Sequence, residues 1–135
     1  MTPDVVAVRQ NLALNIQNGQ AIPGAAADAR NRWGSDHNQL QYTWRSGLGT
    51  DAYGDLIYVA GHSLTLMALT QAMLKAGIAT GMELDIHSGV VTFNSFGRLS
   101  GSPTTVAHKL LTSMPRPANR YLAADQRDFL YVTAR

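Results

Sequence analysis

A run of alternating polar and aliphatic residues constrains this chain more than any other feature: Glu83-Leu84-Asp85-Ile86-His87. In a β-strand the side chains have a period of two, so the three ionisable residues would project from one face and the aliphatic residues from the other. A strand buried on both faces is normally apolar throughout. We therefore predict a strand whose polar face meets water, another charged group, a cation or a substrate.

A second segment predicts a helix with defined ends. Apolar residues recur at helical spacing from Leu66 to Met73 and form one stripe. Ser63 or Thr65 is the candidate N-cap, and Gly77 lies just past the last turn. This stripe is typical of a helix that packs into a hydrophobic core.

Turn-forming residues divide the rest of the chain into short elements. Asn18-Gly19 is a strong hairpin signal, and residues 51–54 have the composition of a turn. The remaining pattern predicts a helix from residue 2, strands at 12–16, 41–45, 56–60 and 129–132, a hairpin of 83–87 with 90–96, a helical turn at 25–32 and a helix-like segment at 106–111. We predict an α+β domain with a mixed, mostly antiparallel sheet and packed helices.

Composition places the chain among ordinary globular domains. The 135 residues fit one domain over 1–135, and the charged fraction of 15% lies below the usual share of about 25%. The net charge of +2 is too small to indicate nucleic acid, and no nucleic-acid partner is predicted. The absence of cysteine excludes disulfides and thiolate metal sites.

The positive charge is concentrated late in the sequence. After Gly97 the only acidic residues are Asp125 and Asp128, against six basic residues: Arg98, Lys109, Arg116, Arg120, Arg127 and Arg135. This distribution is consistent with a solvated basic flank or with a surface that faces an anion. The two alternatives stay open at the level of sequence.

The alternating run offers the best candidates for chemistry. Carboxylates two residues apart on a strand lie roughly 6.5 to 7 Å apart, so Glu83 and Asp85 could work as an acid–base pair or share an oxygen-ligated divalent cation. His87 could act as a further ligand or as a proton carrier. The alternative is a solvated strand face, or carboxylates paired with arginines.

Two further places favour anion binding. Arg45 precedes the glycines of Arg45-Ser46-Gly47-Leu48-Gly49, where backbone N–H groups could accompany the guanidinium on a phosphate. His62 lies at the entrance of the predicted helix. Each also has an ordinary explanation, as an arginine before a glycine-rich turn or as an exposed loop histidine. The phosphate- or substrate-binding candidates are Arg45, Gly49, His62 and Asn94.

Four segments follow one another in a characteristic order: Trp44-Arg45-Ser46-Gly47-Leu48-Gly49, Leu56-Ile57-Tyr58-Val59-Ala60-Gly61, Leu64-Thr65 and Gly81-Met82-Glu83-Leu84-Asp85. This order resembles the phosphodiester glycosidase family, which is typified by the enzyme that removes N-acetylglucosamine to uncover mannose 6-phosphate. The family pattern has an arginine-bearing R-[ST]-A-x-G strand, a strand ending in D-G-R, an L-T-x-x-E-L helix and N-x-D-G-G-G-S-S. The chain looks most similar to the actinobacterial branch, where the last motif has an E-L-D form.

The resemblance implies roles for individual residues. Arg45 matches the family arginine, Asp85 matches the aspartate of the glycine-rich motif, and Glu83 replaces its asparagine. Five other positions depart from the pattern: Ile86-His87-Ser88 replaces three glycines, Ala60 replaces the aspartate of D-G-R, and His62 replaces its arginine. A glycine allows close approach of backbone to ligand, which these replacements remove.

The sequence and the resemblance together predict a phosphodiester glycosidase-like hydrolase that acts on a glycosyl phosphate or a cell-envelope polysaccharide. Asp85, Glu83 and His87 would be catalytic; no cofactor is required, and a divalent cation, if one binds, would be held by Glu83 and Asp85. The alternative is a non-catalytic glycan-binding or structural subunit of an envelope assembly that retains the fold. The family domain usually extends further towards the N-terminus, so a protein partner or a missing N-terminal portion would complete the sheet. The location would be extracytoplasmic for a piece of a secreted or anchored protein, and cytoplasmic for a soluble one.

Overall fold

The computed structural model describes residues 12–27, 30–127 and 129–133, without the side chain of Asp36. The chain divides into two compact units, Met1–Val91 and Thr92–Arg135. Residues 1–11 are not among the described residues, so the helix predicted from residue 2 lies outside them up to residue 11. Among the described residues, every helix is too short or too polar to cross a bilayer.

The first unit contains a five-stranded sheet with two helices. Its strands are β1 Leu14–Gln17, β2 Gln20–Ala21, β3 Thr43–Thr50, β4 Leu56–Leu64 and β5 Thr80–Ile86, in the spatial order β2-β1-β5-β3-β4. All the pairings between these strands are antiparallel. The helices are α1 Asp36–Leu40 and α2 Leu66–Lys75. The predicted α+β class is confirmed.

Local sequence signals account for the tight turns of this sheet. Asn18 and Gly19 connect β1 to β2 with φ values of 52° and 70°, which is the backbone that a two-residue hairpin turn requires. Asp51 begins the turn between β3 and β4, where its Oδ1 accepts hydrogen bonds from the N–H groups of Tyr53 and Asp55. Both predicted turns are confirmed.

Helix α2 has the ends that the sequence predicts. Thr65 is the N-cap, and its Oγ1 accepts a hydrogen bond from the N–H of Ala68 at 3.2 Å. Gly77 follows the helix with a φ of 92° and donates to the carbonyl of Leu74, while the N–H of Ile78 donates to the carbonyl of Met73. This pair of bonds is the Schellman motif, which satisfies carbonyls that the helix leaves without partners.

The core of the first unit lies where α2 packs on the sheet. Four residues form its buried cluster: Ile16, Leu69, Met73 and Ile78. Burial of each such side chain contributes about 1.5–3 kcal/mol, so this contact between α2 and the sheet stabilises the unit.

The second unit contains a separate two-stranded antiparallel sheet. Strand β6 Asn94–Arg98 pairs with β7 Thr105–Lys109, and a short 3-10 helix follows at Arg120–Leu122. The prediction that 83–87 forms a hairpin with 90–96 is wrong, because β5 pairs with β1 and β3, and residues 94–98 pair with β7 instead.

Two more predicted elements of this unit differ from the structure. The helix-like segment at 106–111 is mostly strand β7, whose β-branched residues Thr105 and Val106 favour extended backbone. Residues 129–132 are not in a strand; the ring of Phe129 instead packs against that of Tyr121, with centroids 4.6 Å apart.

Candidate functional site

Arg45, the predicted phosphate ligand, is an interior residue that holds three elements together. Its side chain lies on β3 and is 1% exposed. Its Nε donates to the carbonyl of Leu64 at 2.8 Å, and its Nη2 donates to the carbonyls of Asn38 and Gln41. Its Nη1 donates to Oε1 of Glu83 at 2.5 Å. Because helix α1 ends at Leu40 and Gln41 is its C-cap, Arg45 supplies donors that the end of this helix lacks.

Glu83 is the buried acidic partner of Arg45. It pairs with Gly47 across β5 and β3, and the side of Gly47 that a Cβ would occupy faces Met73 of α2. Residues paired across strands project from the same face, so Glu83 lies on the face that the helix covers. Burial raises the pKa of the Glu83 carboxyl, while the ion pair with Arg45 lowers it in part.

Asp85 is separated from Glu83 by a β-bulge. The register changes from Gly47↔Glu83 to Arg45↔Ile86, so two residues of β5 lie opposite the single residue Ser46. The Ser46 hydroxyl donates to the carbonyl of Asp85 at 3.3 Å and accepts from its N–H at 3.1 Å. This buried serine thereby forms hydrogen bonds with backbone groups of β5 that the bulge leaves unpaired with β3. The Asp85 side chain is exposed.

A second bulge lies on the other side of β3. The register changes from Arg45↔Gly61 to Thr43↔Leu64, which places His62 and Ser63 opposite Trp44. The His62 ring meets the buried Trp44 ring edge-on, with centroids 5.4 Å apart. Ser63 has a φ of 56°, and its Oγ lies 2.6 Å from Nδ1 of His62. Both side chains of this bulge are exposed.

His87 lies beyond the end of β5 and begins a turn. Its φ is 81°, its N–H donates to the carbonyl of Trp44 at 2.8 Å, and its own carbonyl accepts from the N–H groups of Val90 and Val91. The imidazole is exposed. The position of His87 is therefore fixed by its backbone, as the first residue of the turn.

The prediction that Glu83, Asp85 and His87 share one open face is wrong. A period of two holds only along an uninterrupted strand, and the bulge interrupts it between the first two residues. Glu83 is buried against Arg45, whereas Asp85 and His87 are exposed at the end of β5. The Glu83 carboxylate is paired with Arg45, and the shared divalent cation that the spacing suggested stays a prediction.

Gly49, a predicted phosphate-binding residue, lies in close contact with Ile78, which follows α2, and with the start of β5. A Cβ on Gly49 would lie 2.4 Å from Cγ2 of Ile78 and 2.5 Å from the carbonyl oxygen of Thr80. Gly47 and Gly81 similarly leave room for Met73. The glycines after Arg45 therefore make room for Met73 of α2 and for Ile78, which follows it. Both are paired residues of β3, so they do not form a glycine-rich turn.

Asn94 lies at the start of β6 in the second unit. Its Oδ1 and Nδ2 are both buried and have no hydrogen-bond partner among the described residues. Such an amide costs about 1–3 kcal/mol for each unsatisfied group. The described part of the chain contains no group of three or more acidic or histidine side chains placed to hold a metal ion.

The residues that sequence reasoning missed are those that depend on strand register. Ser46 and Trp44 each lie opposite a bulge, and no local motif marks a bulge whose partner strand is distant. Helix α1 was also missed, although Ser35 provides a recognisable N-cap whose Oγ accepts from the N–H of Asn38.

Comparison with known proteins adds one structural likeness. No protein-family model matches the chain, and no curated protein is significantly similar to it. The crystal structure of a hypothetical protein from Synechocystis is 26% identical with a TM-score of 0.47, over 56% of this chain and 14% of that one. The match spans about one seventh of the length of that protein.

Proposed function

We propose that this chain is a non-catalytic glycan-binding or structural subunit of a cell-envelope assembly, built on a scaffold of the phosphodiester glycosidase kind. The observation that supports this proposal is that other groups of the protein bind the Arg45 side chain. This residue is the counterpart of the family arginine, and its guanidinium is occupied by Glu83 and three backbone carbonyls. A substrate phosphate could reach it only by displacing those partners.

The energetic cost of that displacement argues for a structural role. Separating a buried ion pair leaves an uncompensated charge and costs about 3–5 kcal/mol. The carbonyls of Leu64, Asn38 and Gln41 would lose their donor at the same time. An anion that bound here would therefore have to compensate for the loss of several interactions that define the unit.

A hydrolase is the second candidate, and the two bulges favour it. Bulges are over-represented next to active sites, where they redirect side chains. Here they occur on both neighbours of β3 and leave His62, Asp85 and, just past the strand end, His87 exposed. In this proposal Asp85 would be the acid–base residue, with one of the histidines assisting, and Arg45 and Glu83 would support the backbone.

An assay on the intact chain separates the two candidates. We would measure hydrolysis of glycosyl phosphodiesters with and without divalent cations, for the wild type, Asp85→Asn and the surface control Asp55→Asn. Binding to purified cell-wall polysaccharide would be measured on the same samples. The non-catalytic proposal predicts no turnover above the protein-free blank and equal polysaccharide binding in all three.

The opposite pattern would support the hydrolase. General acid–base catalysis contributes about 10²–10⁴-fold, so measurable wild-type turnover that Asp85→Asn lowers by about 100-fold or more, with Asp55→Asn unchanged, would overturn the non-catalytic proposal. Absence of both turnover and polysaccharide binding, together with elution as part of a larger complex from cell extracts, would favour the structural form of the subunit over the glycan-binding form.

A further inference from the structure

Residues 129–132 form an apolar segment that the second unit leaves uncovered. The segment consists of Phe129, Leu130, Tyr131 and Val132, and these side chains are between 53% and 80% exposed. Three of the four are aromatic or β-branched, the residue types that favour strands, and the sequence accordingly predicts a strand here. In the structure the segment is not in a strand. Consecutive exposed apolar side chains of this kind are typical of a surface that binds protein.

The same unit contains a sheet with room for another strand. Strands β6 and β7 pair with each other from Asn94↔Lys109 to Arg98↔Thr105, and among the described residues neither strand has a second neighbour. Each strand therefore presents one edge of N–H and C=O groups to which a further strand can bind. A two-stranded sheet is marginally stable in water, whereas three strands with a hydrophobic face can be stable. The chain thus contains both an incomplete sheet and an unused strand sequence.

Within one copy, the segment begins at the 3-10 helix of the unit and not at this sheet. The ring of Phe129 packs against Tyr121 of that helix, and the neighbouring Arg120 donates two hydrogen bonds to the carboxylate of Asp125, at 2.5 and 3.0 Å. No Cα atom of the helix, Arg120–Leu122, lies within 8 Å of β6 or β7. A second copy could therefore receive the segment without loss of the contacts that hold its start.

We propose that two copies of this chain exchange the segment, so that residues 129–132 of each copy pair with the β6–β7 sheet of the other. Four residues of strand span about 13 Å, which fits alongside the five-residue strands β6 and β7. Each copy gives one segment and receives one, so the exchange closes as a symmetric dimer. The inference does not rest on the proposed function, because the segment and the sheet both belong to Thr92–Arg135.

Sedimentation velocity of the intact chain measures the association. Between about 1 and 300 μM we expect a reversible monomer–dimer equilibrium that stops at the dimer. Leu130→Asp would place a carboxylate in the interface and should weaken the dimer about tenfold or more. The matched control is Met67→Asp, since Met67 is 52% exposed against 58% for Leu130. Met67 lies in the first turn of α2, which favours a negative charge, so this variant should change the dimer affinity by less than about twofold.

Proline at two neighbouring positions tests whether the contact is strand pairing. In an added antiparallel strand, alternate N–H groups point to the partner, and proline has no N–H to donate. Leu130→Pro and Tyr131→Pro are each compared with the alanine variant at the same position, which corrects for the lost side chain. One of the two prolines should weaken the dimer at least about fivefold more than the other. An equal effect of both would indicate apolar contact without pairing and would contradict the exchange.

A spin label distinguishes exchange between copies from closure within one copy. The chain has no cysteine, so Thr133→Cys carries a nitroxide at a single position next to the segment. This protein is mixed with isotope-labelled wild type that carries no nitroxide, and NMR follows the amides of the wild type. The exchange predicts broadening of β6 and β7 amides in the mixture. Broadening only when both labels are on the same, diluted molecule would place the segment on its own sheet and overturn the inference.

Two outcomes of the sedimentation experiment would also overturn it. A monomer over the whole concentration range would show that the segment does not join two copies. Association that continues past the dimer, or that Leu130→Asp and Met67→Asp change equally, would indicate unspecific apolar contact. Circular dichroism that matches the wild type confirms that each variant is folded, as expected for substitutions of exposed side chains.

Discussion

At the scale of single residues, the pair formed by Arg45 and Glu83 decides how the first unit is built. Both side chains are 1% exposed, and they are 38 positions apart in sequence. The arginine connects the end of α1, the end of β4 and strand β5, so its loss affects three elements at once. A lysine in its place would keep the charge, but it could not reach the same set of carbonyls because it lacks the planar fork of donors.

Replacing Arg45 should therefore destabilise the protein strongly and in a pH-dependent way. We expect Arg45→Met to lower the free energy of unfolding by about 3–5 kcal/mol at pH 8, because a buried carboxylate loses its partner. Burial raises the pKa of Glu83, and removal of the guanidinium would raise it further. A carboxyl with a raised folded pKa contributes fully to stability below its ordinary value of 4.5 and loses that contribution as pH rises through the folded pKa.

The penalty of Arg45→Met should consequently be smaller at pH 4 than at pH 8. Urea unfolding followed by the fluorescence of Trp33 and Trp44 measures it in the first unit. Arg45→Lys should be intermediate, and Arg98→Met, an exposed arginine on β6, should stay within about 0.5 kcal/mol of the wild type. A penalty that is constant with pH, or equal for Arg45→Met and Arg98→Met, would contradict a buried ion pair.

At the scale of elements, glycines in the central strands make room for α2 and for the residues that follow it. At Gly49 an added methyl group would meet the backbone of Thr80 at 2.5 Å as well as Ile78. At Gly47 it would meet chiefly the flexible end of Met73, at 2.4 Å, with the nearest backbone atom at 3.2 Å. The two positions differ in whether the obstacle can move.

We therefore predict an order of destabilisation among three glycine-to-alanine variants. Gly49→Ala should cost about 3 kcal/mol or more, the upper part of the range for overpacking, because backbone must shift. Gly47→Ala should cost less, since Met73 can change rotamer. Gly97→Ala, with no atom within 4 Å of the added carbon, should leave the first unit unchanged. Urea midpoints measure the order; equal midpoints for Gly47→Ala and Gly49→Ala would show that the backbone contact is not limiting.

The features that the sequence predicts are those that residues close together in the chain determine. The Asn18-Gly19 hairpin, the caps of α2 and the Asp51 turn are set by neighbouring residues, and their motifs predicted them. The bulge opposite Ser46 depends instead on hydrogen bonds to Asp85, 39 positions away. No local pattern encodes such a register change, so the alternation of the acidic run predicted a common polar face that the folded strand does not have.

At the scale of the whole molecule, the two units differ in how much apolar surface they bury. In the first unit α2 covers the five-stranded sheet with a buried cluster of four residues. Among the described residues of the second unit, Met114 is the one fully buried hydrophobic side chain. A two-stranded sheet is at best marginally stable without such a core, so the stability of the molecule should be concentrated in the first unit.

Amide hydrogen exchange would measure this difference directly. Amides of β3, which is paired on both sides, should exchange only through near-global unfolding, whereas those of β6 and β7 should exchange through local opening. We expect protection in β3 to exceed that in β6–β7 by at least about tenfold, or about 1.4 kcal/mol. The comparison is matched, because both are antiparallel ladders in one sample at one pH. Equal protection would show that the second unit draws on stabilisation that its own buried residues do not provide.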